Sequence, residues 1–156
     1  MKTEYASELI KTLKSRGMKL ATAESCTGGG IGQALTSVSG SSAVYLGGVI
    51  SYDNSIKEQL LGVPNEILLT VGAVSEETAV AMAKGVRKLL RADLAVSVTG
   101  IAGPNADGTN KPVGLVYVAV ASESQTIVSE NHFSGDREAV REQTIVKALQ
   151  MVLQMI

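Results

Sequence analysis

Along this chain the spacing of apolar residues switches between the rhythm of an amphipathic helix and the short unbroken runs of a buried strand. That alternation leaves few folds open. Ala6, Leu9, Ile10 and Leu13 define one face of a first helix, which Thr3 can cap and Gly17 can stop. Lys19 to Ala23 reads as a strand ending at Glu24, followed by Ser25-Cys26-Thr27-Gly28-Gly29-Gly30 and a helix to about Val38. Val44 to Tyr52 is a second strand. Ser55-Ile56-Lys57-Glu58 matches a capping box, so a short helix is expected to start there and end near Gly62-Val63-Pro64. Ser75 opens another helix with Ala79, Met82, Ala83, Val86, Leu89 and Leu90 on one face. Leu94 to Thr99 is a third strand, and a loop from Gly100 to Pro112 follows it. Val113 to Ala121 and Thr126 to Phe133 read as an antiparallel pair at the sheet edge. A final helix from Asp136 carries Val140, Ile145, Ala148, Leu149, Val152 and Ile156 on one face.

The pattern predicts an α/β fold: a mixed, mostly parallel sheet covered by helices on both faces. Ligands in such sheets sit beyond the carboxyl ends of the strands, so Glu24-Ser25, Tyr52-Asp53 and Thr99-Gly100 are expected to meet there. The 156 residues fit one domain, expected over 1–156, and 45% hydrophobic residues supply its core.

Charge and aromatic content exclude several partners. A net charge of -1 offers no broad basic face for a phosphate backbone, and one Phe with no Trp offers no stacking platform, so nucleic acid is not an expected partner. The single Cys forms no internal disulfide and the stretch from Met1 to Leu20 is charged, which makes the cytoplasm the expected location. Ser25 to Tyr52 carries no charged residue, yet Gly, Ser, Thr and Gln break it into short pieces, so no membrane span is expected. Met151 and Met155 on the final helix suggest a symmetric contact in a homo-oligomer.

Candidate chemistry gathers at the strand ends. Ser25 precedes glycines at a predicted helix start, where free backbone N–H groups suit a phosphate or an oxyanion; taken alone, a helix cap is the commoner role for such a serine. No phosphate-loop, dinucleotide-binding or nucleophile-elbow motif is complete. The only histidine, His132, falls on the predicted edge strand, so a Ser-His-Asp triad has one remote chance. Lys57 is the better base: near a helix start and partly buried, its amine would lose its proton more readily. Its competing reading is a solvent-facing lysine. Tyr52 could bring its phenol to that amine, Glu24 could pair with it, and Asp53 could be a plain turn residue. Cys26 is a reactive thiol or, more ordinarily, a buried filler. Thr99 and Gly100 begin a second small-residue turn able to wrap a ligand, and Asp107 to Pro112 would shape the entrance. Arg137 and Arg141, four apart, could hold a phosphate or carboxylate, or form surface ion pairs. One His and one Cys make no soft-ligand cluster, so metal-independent chemistry without a cofactor is expected.

Six segments in order carry a resemblance. Ala23-Glu24-Ser25-Cys26-Thr27-Gly28-Gly29, Gly47-Gly48-Val49-Ile50-Ser51-Tyr52, Gly72-Ala73-Val74-Ser75, Val98-Thr99-Gly100-Ile101-Ala102-Gly103-Pro104, Lys111-Pro112-Val113-Gly114 and Phe133-Ser134-Gly135-Asp136-Arg137 together resemble the CinA C-terminal domain family, the nicotinamide-nucleotide amidohydrolases. The resemblance spans nearly the whole chain. It implies a three-layer α/β/α sandwich that hydrolyses the carboxamide of nicotinamide mononucleotide to nicotinic acid mononucleotide and ammonia, in pyridine-nucleotide salvage. It further implies Ser25 as nucleophile, Lys57 as base and Tyr52 as a neighbour in proton transfer. Backbone donors around Thr27 and Gly28 would hold the oxyanion, Gly29 would help bind the substrate, and Arg137 or Arg141 would hold the phosphate. Many members of the family carry an additional N-terminal pyrophosphatase domain; this chain is expected to correspond to the stand-alone deamidase form. Two other readings remain open at this level: a non-catalytic nucleotide-binding or competence-associated module, and a Cys26 thiol enzyme.

Overall fold

A computed structural model describes residues 1–156. Its elements are α1 (Lys2–Arg16), β1 (Leu20–Glu24), α2 (Gly30–Thr36), β2 (Tyr45–Ile50), α3 (Asn54–Leu61), α4 (Asn65–Thr70), α5 (Glu76–Leu90), β3 (Leu94–Gly100), β4 (Leu115–Ala121), β5 (Thr126–His132) and α6 (Arg137–Met155), with a 3-10 turn at Ser41–Ala43. One mixed sheet has the order β2-β1-β3-β4-β5. β1 pairs parallel with β2 and β3, while β4 pairs antiparallel with β3 and β5. Four strands therefore point one way and β4 alone opposes them. The expected terminal hairpin is present, with Leu115 opposite His132 and Ala121 opposite Thr126.

Strand alternation sorts the core into two layers. Leu20 of β1, Val96 and Val98 of β3 and Val116, Val118 and Val120 of β4 pack against α1, α2 and α6 through Leu9, Leu13, Ile31, Leu149 and Val152. Their neighbours face the other way: Ala21, Ala23 and Ala95 meet Leu61, Met82 and Val86, and Ala119 and Ala121 meet Ala79 and Ala83. Small side chains on this second face bring α5 close to the sheet. The helices thus cover both faces, in three layers.

The topology locates a crevice. From β1 the chain crosses to β2 through α2 on one face and then to β3 through α3, α4 and α5 on the other, so the connections diverge beside the carboxyl end of β1. That divergence is where open α/β sheets bind ligands.

Several local expectations are corrected. Thr3 lies inside α1, whose cap position is Met1, whereas Gly17 does end the helix with φ 63°. Asp53, not Ser55, caps α3: its carboxylate accepts from the Ser55 N–H, and no capping box forms. α4 is an additional helix, entered through Pro64 at φ -60°. On α5, Leu89 is exposed rather than part of the buried face. Met151 is buried in the core and Met155, partly buried, packs against it, so of the two only Met155 keeps surface for a symmetric contact.

A tight contact between α3 and α5 sets a stability test. A Cβ placed on Gly85 of α5 would lie 1.9 Å from the carbonyl oxygen of Leu61, a backbone atom that cannot step aside. Alanine at an open helical site gains about 1 kcal/mol over glycine, but overpacking costs about 1–3 kcal/mol. Gly85→Ala is expected to lower stability in urea denaturation, and a gain in stability would contradict this packing.

Candidate active site

Ser25 is the first residue beyond β1 and is held from both sides. Its N–H donates to the Val98 carbonyl of β3 at 3.2 Å, and the Ser51 N–H donates to the Glu24 carbonyl at 2.8 Å. Ser25 caps no helix, because α2 begins only at Gly30, with Gly29 in the cap position and no side-chain cap. Its hydroxyl turns instead towards α3, where the Lys57 Nζ donates to the Ser25 Oγ at 3.2 Å.

Lys57 is 1% exposed, so the solvent-facing reading does not hold. Its Nζ also donates to the carbonyl oxygens of Ser51 at 2.7 Å and Tyr52 at 3.2 Å. No carboxylate lies within ion-pair distance; the ion pairs are Lys2–Glu142 and His132–Glu130. Removal from water, which disfavours the ammonium, lowers the Lys57 pKa from its ordinary value, against a weaker opposing pull from the Asp53 carboxylate. Lys57 sits a full turn past the Asp53 cap, and the depression comes from burial rather than from the helix end.

Glu24 does not pair with Lys57. It points to the opposite face of the sheet, where its carboxylate accepts from Thr27 Oγ1 at 2.6 Å, the Ile31 N–H at 2.9 Å and the Gly32 N–H at 3.0 Å. The start of α2 is therefore occupied by a buried acid of the protein itself and is not the donor row expected to face Ser25. Strand alternation makes this orientation legible: Glu24 follows Leu20 and Thr22 onto one face, Ser25 follows Ala21 and Ala23 onto the other.

Tyr52 is 64% exposed, and the expected phenol-to-amine contact is not made. Its carbonyl meets Lys57, while its hydroxyl accepts from Arg137 at 3.3 Å. Arg137 also donates to the Gly103 carbonyl at 2.7 Å. Arg141 donates to the carbonyls of Cys26 at 3.2 Å and Thr27 at 3.1 Å. Neither arginine forms the surface ion pair considered from the sequence.

A cavity of about 370 Å³ opens over these groups, lined by Ser25, Cys26, Tyr52, Lys57, Thr99, Gly100, Ala102 and Arg137, and by Asn54, Leu68, Gly72, Ala73, Val74, Asp107 and Thr109. The three predicted strand ends do converge. Thr27, Gly28 and Gly29 do not line the cavity: the Thr27 side chain is buried against Glu24, and Gly28 and Gly29 take positive φ values of 58° and 102° to turn the chain into α2. Arg141 lines a neighbouring cavity of about 730 Å³, and Arg137 stands between the two. His132 is exposed on β5 and bonds Glu130. The Cys26 thiol is buried, and burial pushes its pKa up to about 12, which leaves it unreactive.

The residues not anticipated come from α4 and the segment after it. Thr99 Oγ1 donates to the Ala73 carbonyl at 2.8 Å, and Lys111 reaches across from its loop to the carbonyls of Val71 and Val74, so this segment roofs the cavity. Pro64 followed by Glu66 was the available signal for α4.

Comparison with known proteins places this geometry among relatives. Residues 2–156 match the family model of the CinA C-terminal domain. A CinA-like protein from Synechococcus sp. (strain RCC307) is 53% identical over 132 residues, covering 85% of this chain and 31% of that protein. The chain spans about a third of the length of the curated relatives it matches. The crystal structure of the competence/damage inducible protein CihA from Agrobacterium tumefaciens superposes with a TM-score of 0.95 at 42% identity, covering 98% of this chain and 94% of that one. A competence-damaged protein (CinA) superfamily protein from Escherichia coli gives 0.97 at 31% identity, covering 100% and 91%.

The buried amine links the site to stability. Because the native Lys57 pKa lies below its unfolded value of about 10.4, the unfolded chain binds more protons between the two. Stability of the protein relative to Lys57→Met is therefore expected to rise with pH through that window, as read by urea denaturation at stepped pH. A difference that stays flat would show that Lys57 carries no lowered pKa.

Proposed function

The chain belongs to the CinA C-terminal domain family, and from that premise we propose that it is an amidohydrolase acting on the linear amide of nicotinamide mononucleotide. The observation that carries the proposal is the contact of a buried, unpaired Lys57 amine with the Ser25 hydroxyl at 3.2 Å. A neutral amine has two N–H groups and one lone pair. The carbonyls of Ser51 and Tyr52 accept the two N–H groups, which leaves the lone pair for the Ser25 O–H.

The reaction follows. Ser25 Oγ attacks the carboxamide carbon as its proton passes to Lys57 Nζ, forming a tetrahedral adduct. The Lys57 ammonium then gives that proton to the leaving nitrogen, the C–N bond breaks and ammonia departs from an acyl-serine. Water attacks the ester with Lys57 again taking the proton, and collapse of that adduct returns it to Ser25 Oγ and frees nicotinic acid mononucleotide. The Tyr52 phenol, held by Arg137 at the rim, takes no part in these transfers.

Developing charge on the oxygen needs donors. The Gly28 N–H already bonds the Ser25 carbonyl at 3.1 Å, whereas the N–H groups of Cys26 and Thr27 meet no backbone acceptor, that of Cys26 lying against its own thiol. These two serve the oxyanion, each worth about 2.7–4 kcal/mol of barrier. Arg137, which lines the Ser25 cavity, is the phosphate ligand.

Purified protein with nicotinamide mononucleotide is expected to release ammonia, with kcat/KM rising with pH as Lys57 loses its proton. Ser25→Ala and Lys57→Ala are each expected to lower kcat by at least about 10^3-fold. Full turnover in both variants would reject the mechanism, and nucleotide binding without ammonia from the unaltered protein would favour a binding module.

A further inference from the structure

Arg141 stands outside the Ser25 cavity, yet its guanidinium holds two successive carbonyls of the turn that follows Ser25: Nε to Cys26 at 3.2 Å and one terminal nitrogen to Thr27 at 3.1 Å. A trans peptide is planar, with its C=O and N–H antiparallel, so fixing the Cys26 carbonyl fixes the direction of the Thr27 N–H. That N–H points away from Arg141. The partner peptide shows the same relation: Thr27 gives its carbonyl to Arg141 and the Gly28 N–H turns back to the Ser25 carbonyl. In a turn closed between residues i and i+3, the amide of i+2 is the one that faces the side chain of residue i. Here residue i is Ser25 and the amide is that of Thr27.

Thr27 lies behind the cavity wall, one peptide beyond Cys26, which does line the cavity, and its buried N–H has no acceptor within the chain. A buried N–H left without an acceptor is rare, which sets this amide apart from its neighbours. Arg141 has no carboxylate at ion-pair distance that would explain it as a surface charge.

We infer that Arg141 is a positioning residue for the oxyanion donors, aiming the Thr27 N–H at the Ser25 adduct by holding the carbonyl side of the Cys26 and Thr27 peptides. This deepens the deamidase reading and rests on it for its kinetic part. The substrate phosphate then belongs to Arg137 alone.

The two arginines separate in kinetics. Ammonia release is measured with nicotinamide mononucleotide and with its phosphate-free nucleoside, for the unaltered protein, Arg141→Lys and Arg137→Lys. Arg141→Lys, which keeps the charge but loses the fork, is expected to lower kcat about 10^2-fold for both substrates with KM nearly unchanged. Arg137→Lys is expected to raise KM for the nucleotide by a larger factor than KM for the nucleoside. A rise in nucleotide KM alone in Arg141→Lys would overturn the inference and make Arg141 a phosphate ligand. Amide hydrogen exchange of Thr27 gives a readout independent of turnover: it is expected to quicken at least about tenfold in Arg141→Lys while the amides of α5 stay as they were. Unchanged exchange at Thr27 overturns the inference. If the unaltered protein releases no ammonia from either substrate, the deamidase reading falls, and the exchange measurement still decides whether Arg141 holds the turn.

Discussion

The structure depends on keeping a lysine amine dry without giving it a counter-charge. Burying an ammonium is costly unless a carboxylate accompanies it, and none accompanies Lys57. Its three neighbours are two carbonyls and one hydroxyl, a set that satisfies a neutral amine as well as a charged one. Such a group holds its proton less tightly, which suits it to the proposed role of base for Ser25. The fold supplies the condition by sending the one nearby buried carboxylate, Glu24, through the sheet to the opposite layer.

Strand alternation therefore does chemical as well as structural service. Glu24 and Ser25 are consecutive, and their side chains serve different layers: one anchors α2, the other faces α3. A one-residue slip in the pairing of β1 would exchange them and set an acid beside Lys57. The pairing of β1 on both sides, to β2 and β3, guards against that slip. The arginines show a similar division. Four residues apart on α6, they reach different cavities, Arg137 towards Tyr52 and Gly103, Arg141 towards the turn after Ser25.

Much of this was legible in the residues. The alternation of apolar runs and helical spacings is enough to place Ser25, Tyr52, Thr99 and Gly100 at one sheet edge, because the order of elements fixes where parallel strands end. Lys57 could be singled out, but not its contact: the sequence sets its helix near the edge, whereas the Asp53 cap sets the helix phase that aims the amine inward. Tyr52 was placed on the right segment with the wrong group facing Lys57, since periodicity does not say whether a strand-end residue offers its side chain or its carbonyl. Thr27, Gly28 and Gly29 act through backbone geometry, which residue types constrain only weakly. The roof built from α4 and the Gly72–Val74 segment depends on contacts across long separations, such as Lys111 to Val71, that no local pattern contains.

The central claim is that the Lys57 amine is neutral at the pH where Ser25 must be deprotonated. The most direct measurement is an NMR titration of lysine side chains, following the carbon and nitrogen shifts next to each ε-amine, with Lys57→Arg used to assign the signal. One lysine titrating well below the ordinary value of about 10.4, and absent from the variant, is the result this account predicts. Lys57 titrating with the exposed lysines would contradict it.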